Sequence, residues 1–342
     1  MADDAPRSEG PDCCEGWSRR DFVRGIGAGL LGAAVPGLRG SAWASDASPV
    51  KDRPSPSDLA ETAVARFYKT LSKSQREAIC FPFDHQLRSV VKNNWSIVKP
   101  SIKDLNAEQK ELCREIMKNL TSEEGYERFM RQMKDDSGGF EAYHVAVFGE
   151  PGGEKPFEWV LTGRHDTLRV DGDSVASSAF GGPIFYGHAA GTDEEDAKHT
   201  GNVWWPQAEQ ANKIFATLDD KQRKQALLED AESDTQATTR LKGEALPPTG
   251  LSIGTLDSQQ KEMTRKLIDT MLAIFRECDA AEVRRCLEAN GGVDKLRLTF
   301  FEEGDIGEDR IWDIWKLEGP AFSWYFRGAP HVHAWLNVAR TA

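Results

Sequence analysis

Two histidines one residue apart, His331 and His333, close the run Gly328-Ala329-Pro330-His331-Val332-His333 near the C-terminus. On a β-strand, alternate side chains share a face, so the spacing predicts two imidazoles projecting together about 7 Å apart. Imidazoles fixed in this way suit metal ligation. A third nitrogen comes from His165 in Gly163-Arg164-His165-Asp166, and His188 and His199 offer others. Nearby carboxylates are Glu150, Asp166 and Glu318. A set of nitrogen, or nitrogen and oxygen, donors built on His165, His331 and His333 fits zinc, copper or iron. The same groups support a second chemistry. Glu150 or Asp166 can serve as the base of a metal-free hydrolase, with Arg164 or Arg327 holding an anionic substrate. A third reading is a non-catalytic ligand-binding module that grips a small molecule with its aromatic residues. His85, between helices, and His144, alternating in a strand, read as structural. The chain contains no G-x-S-x-G, P-loop, H-E-x-x-H or C-x-x-C-H motif.

The elements that must position these groups occur twice. Leu71-Ser-Lys-Ser-Gln75-Arg76 is echoed by Leu218-Asp-Asp-Lys-Gln222-Arg223. Leu105-Asn-Ala-Glu-Gln109 is echoed by Leu256-Asp-Ser-Gln-Gln260, and Trp159-Val-Leu161-Thr-Gly163 by Trp315-Lys-Leu317-Glu-Gly319. The order is constant and the offset grows slowly, as duplication with loop insertions leaves it. In each half, apolar residues at helical spacing come first, in Leu112, Ile116, Met117 and Leu120, then in Met263, Leu267, Met271, Ile274 and Phe275. Asn106 and Asp257 stand at helix starts. Alternating strands follow, around 143–148, 159–161 and 167–170, then around 296–300, 311–315 and 322–326. The expected fold is α+β and internally duplicated, each half being helices followed by an antiparallel β-meander, with the sheets sharing one core. The halves span about 58–175 and 210–342. A Gly- and aromatic-rich insertion at 176–209 reads as a binding loop, and it carries His188 and His199. His165 has no histidine counterpart in the second half, where the matching position is near Ala321. Most of the ten tryptophans read as core, although several could line an apolar cleft.

Composition narrows the class of protein. A net charge of -12 over 342 residues argues against nucleic-acid binding. Ser18-Arg19-Arg20-Asp21-Phe22-Val23-Arg24, a short apolar run at 25–35 and Ala42-Trp43-Ala44 form a twin-arginine export signal. Residues 1–44 are thus expected to be removed, with the translocase as a transient partner. A flexible leader at 45–57 would then precede a periplasmic or secreted body at 58–342 that has no stable membrane span. Of the cysteines outside the signal, Cys80 and Cys113 could pair or stay free, whereas Cys278 and Cys286 are too far apart along a helix to bridge.

Phe148-Gly149-Glu150-Pro151, Trp159 through His165, Phe180-Gly181-Gly182-Pro183 and Trp324 through His333 together resemble the domain-of-unknown-function family 3500. The resemblance covers roughly residues 58 to 339. It implies a secreted bacterial protein and carries no reaction with it. It also implies a pair of histidines where this chain has His165-Asp166.

Overall fold

The computed structural model describes residues 56–189 and 202–341 apart from positions 307 and 309. The export signal, nearly all of the leader and His199 lie outside the described residues. The first half begins with helices α1 (Pro56–Thr70) and α2 (Lys73–Ile79) and a short strand β1 (Cys80–Phe81). Helices α3 (Ala107–Leu120) and α4 (Glu123–Ser137) follow, then strands β2 (His144–Gly149), β3 (Phe157–Gly163), β4 (Asp166–Val170) and β5 (Ile184–His188). The second half opens with α5 (Trp205–Ala216), α6 (Asp220–Ala226) and strands β6 (Leu227–Leu228) and β7 (Leu251–Ser252). It continues through α7 (Ser258–Leu272), α8 (Glu277–Ala289), β8 (Arg297–Phe301), β9 (Ile314–Gly319), β10 (Phe322–Arg327) and β11 (Val332–Val338). The fold is α+β. Among the described residues, no helix is long and apolar enough to cross a membrane.

Local chemistry sets the helix starts where the sequence places them. Asn106 caps α3 and Asp257 caps α7, each in a reciprocal capping box with the glutamine three residues on, Gln109 and Gln260. Ser72 with Gln75 and Asp219 with Gln222 do the same for α2 and α6. The box glutamines also reach across helices, Gln75 to Gln109 at 2.8 Å and Gln260 to Gln222 at 3.2 Å.

The eleven strands of the described residues form one sheet in the order β1-β2-β3-β4-β5-β11-β10-β9-β8-β6, with β7 paired to β8. Pairing is antiparallel except for β1 with β2 and β6 with β8. The sheet runs continuously from one half into the other because β5 pairs with β11, Val332 opposite His188 and Leu336 opposite Ile184. One face carries Trp159, Leu161, Leu168, Tyr186, Val332 and Trp324, which share a core with Phe67, Ile116, Phe129, Ile214, Leu267 and Met271 of the helices. Chain segments without α-helices or long strands cover the other face. Residues 88–97 bond Arg169, Thr167 and Thr162 there, and residues 232–239 bond Tyr325, Ser323, Trp335 and Asn337.

The stretch expected to be an inserted loop is therefore partly regular. It contains β5, a strand at the middle of the sheet, and the first turns of α5. Trp159, Trp204, Trp315, Trp324 and Trp335 are buried, and Trp315 stacks on its cross-strand partner Phe326 at 5.2 Å. Packing, not a cleft, accounts for them. All four described cysteines are free, Cys80 and Cys113 included.

Candidate metal centre

The β3–β4 hairpin turns on two residues, Arg164 and His165. His165 adopts a φ of 64°, in the left-handed region that a residue with a Cβ rarely enters. Its main chain is tied on both sides: its N–H donates to the Asn93 carbonyl at 2.7 Å, and its carbonyl accepts from Gly187 N at 2.9 Å. The Arg164 carbonyl accepts the Tyr143 hydroxyl at 2.7 Å. These contacts aim the His165 ring toward the start of β11.

His331 and His333 come from the other half. His333 lies on β11 and faces the side of the sheet away from the helices, opposite Gly187. His331 precedes the strand, in the turn that follows the cis Ala329–Pro330 bond. Two strand residues would stand about 7 Å apart, but here the turn folds one ring over the other and brings the Nε2 atoms to 3.1 Å. The Nε2 of His165 is 3.2 Å from that of His331. One nitrogen from each of the three rings lies within 4.8 Å of the other two.

Carboxylates fix the orientation of two rings. His165 Nδ1 donates to Asp136 Oδ2 at 2.8 Å, and His333 Nδ1 donates to Asp234 Oδ2 at 2.7 Å. With the proton held at Nδ1, each Nε2 presents its lone pair to the centre. Asp136 stands in the last turn of α4 and also accepts from Gln132 Nε2 at 2.8 Å and from Ala189 N at 3.1 Å. Asp234 accepts from Trp335 Nε1 at 2.6 Å and pairs with Arg327 Nη1 at 3.0 Å. Burial alone would raise both acids. The His165 hydrogen bond and charge outweigh it at Asp136, and those of His333, with Arg327, hold Asp234 down at about 2. Burial lowers His331 to about 4, helped by the charges of His165 and Arg327. It lowers His333 to about 3 against the pull of Asp234. Both rings are therefore neutral near pH 7, the form that binds metal.

Nitrogens around a tetrahedral zinc, with bonds of about 2.0–2.1 Å, stand about 3.3 Å apart, close to the 3.2 and 3.1 Å that separate His331 Nε2 from His165 and His333. His165, His331 and His333 thus form a possible three-histidine metal site. Three ligands leave at least one position for water or substrate.

The other expected site residues are placed differently. His188 ends β5 and is buried; its Nε2 is 3.5 Å from Asp135 Oδ2, and it is outside the converging set. Asp166 faces the helices, is fully buried, and has no hydrogen-bond partner for either oxygen. Burial, and then the charge of Asp136, push its carboxyl well above the usual range against a smaller opposing effect of Gln132, which favours its protonated form and suits it poorly to be a base. Glu150 lies beyond the far end of β3 from His165, about 20 Å away along the strand, and is exposed in an ion pair with Lys155. Glu318 is bound to Lys242 and Lys316. Arg164 and Arg327 do flank the imidazoles, and both charges act on His331. His144 bonds Ser96 and the Pro100 carbonyl, and His85 caps a short helix, both structural roles. Asp136 and Asp234 were not expected, because neither sits in a motif or near its histidine in sequence.

No curated protein and no solved structure matches the chain. A family model described as a protein of unknown function, DUF3500, matches residues 54–326, a stretch that includes His165 and stops short of His331 and His333. The chain belongs to the DUF3500 family.

Proposed function

We propose that this chain is an exported metalloprotein with one transition-metal ion held by Nε2 of His165, His331 and His333. The observation that carries this reading is the convergence of the three nitrogens, with two of the rings locked in the metal-binding tautomer by Asp136 and Asp234. Zinc, copper and iron all accept such a donor set. A metal with an open position can activate a bound water or polarise a substrate oxygen, which favours a metal-dependent enzyme acting on a small molecule over a purely structural site. The twin-arginine pattern at 18–24 and the Ala42-Trp43-Ala44 site support export to the periplasm.

Protein purified from the periplasm of a host with a twin-arginine route tests both parts. Elemental analysis is expected to find close to one transition-metal ion per chain, and intact mass a chain that begins at Ser45. Absence of metal in the native protein, together with a melting temperature unmoved by chelator, would sink the metal reading. A full-length, unprocessed chain in the cytoplasm would sink the export reading.

The two halves are also read as copies of one unit. Matched capping boxes, matched glutamine contacts and the mirrored strand order support this. The test is a superposition of experimentally determined halves: helix pairs that fail to overlay when the strands do would refute it.

A further inference from the structure

The charges around the three imidazoles leave a surplus once a divalent cation is counted. Among the described residues, Asp136 and Asp234 are the carboxylates that touch the rings, and each is already shared with an imidazole N–H. Arg327 shares Asp234 with His333, and its Nη2 lies 3.5 Å from the His331 carbonyl. Arg164 comes only to 4.0 Å, Nε to Asp136 Oδ1. Among the described residues, two guanidinium groups thus meet two carboxylates, and a divalent ion adds two positive charges with no further acid on the rings. A second feature is independent of this balance. Among the described residues, the buried Arg327 Nε has no hydrogen-bond partner, so a strong donor beside the site lacks an acceptor there. The Arg164 side chain is 44% exposed.

We propose that the ligand or substrate of this centre carries an oxyanion, a carboxylate or a phosphate, held between the metal, Arg164 and Arg327. This rests on the three-histidine metal reading. Planar guanidinium donors match the paired oxygens of such groups, and the bonds are charge-assisted. Arg327 acts from a fixed position set by Asp234, whereas Arg164 meets the anion from the solvent-facing side of the turn.

The test uses the full mature chain loaded with cobalt(II), whose visible bands report the metal's ligands, titrated with inorganic phosphate and separately with acetate. The wild type is expected to show a saturable spectral change with at least one of them, which also tells phosphate from carboxylate chemistry. Arg164→Gln, a change at a half-exposed side chain, is expected to keep its cobalt and weaken that anion about tenfold, the loss of roughly one charge-assisted contact. Arg327→Lys keeps the charge against Asp234 and loses the fork, and is expected to weaken the anion while retaining metal. Cobalt bound with no response to either anion, or an Arg164→Gln midpoint equal to wild type, would overturn the proposal and leave the metal site standing. Failure of the wild type to bind cobalt would instead sink the metal reading, and this proposal with it.

Discussion

Asp136 and Asp234 each accept a hydrogen bond from the Nδ1–H of a histidine and so decide which nitrogen faces the centre. Asn at either position keeps an oxygen acceptor but loses the negative charge, and can turn an NH₂ toward the ring instead. Asp234→Asn is therefore expected to lower metal affinity about 10–100-fold, measured by competition with a chromophoric chelator. The fold should persist, because an Asn oxygen can still accept from Trp335. Wild-type affinity in this variant would mean that the carboxylate does not tune the site. The histidines were legible from type and spacing, since H-x-H is rare and each imidazole is a candidate ligand. Their acids were not. Asp136 is 29 residues from His165 and Asp234 is 99 from His333, in a chain with 55 acidic residues. Only the fold singles these two out.

Among the elements, β5 governs the site. Gly187 lies opposite His333, where a Cβ would come within 2.4 Å of the Val332 carbonyl and 3.3 Å of Cδ2 in both His165 and His333. The carbonyl belongs to the neighbouring strand and cannot yield without shifting the β5–β11 pairing. Gly187→Ala is expected to cost about 1–3 kcal/mol in urea denaturation, the range for overpacking, and to lower metal content as the rings are pushed apart. Unchanged stability and full metal loading would show that the seam has slack. The helices were readable because capping residues and apolar stripes are local signals, as at Asn106 and Leu112. β5 was not. Its sequence Ile184-Phe-Tyr-Gly-His188 is buried on both faces, so it lacks polar alternation, and its glycine reads as a loop. The two-residue strands β1, β6 and β7 are too short to leave any period.

At the scale of the whole molecule, one sheet joins the halves, and the histidines straddle the joint, His165 on one side and His331 and His333 on the other. Acidic groups elsewhere in the fold control a different property, the dependence of stability on pH. Asp171, just past the end of β4, is raised to about 8 by burial and then by the charges of Glu158, Asp173 and Glu282, despite a hydrogen bond from Val175 N. Its unfolded value is near 3.8, so between about pH 4 and 8 the folded chain holds a proton that the unfolded chain has released. Stability from this group therefore falls as pH rises through that window. His331 and His333 act in the opposite sense: in metal-free protein they are neutral when folded and protonated when unfolded, so stability rises with pH from about 4 until the unfolded rings lose their protons near 6.5. Above pH 6.5 the histidine contribution tapers and is spent by about pH 7.5, so the decline caused by Asp171 emerges. Metal-free protein is thus expected to lose stability from pH 6.5 to 8, with Asp171 contributing up to about 1.4 kcal/mol per pH unit. Asp171→Asn keeps an acceptor for Val175 N and removes the titration, so urea denaturation across this range should show a flatter profile and a variant more stable than wild type at pH 8. A slope equal to wild type would mean that Asp171 has already ionised below pH 6.5.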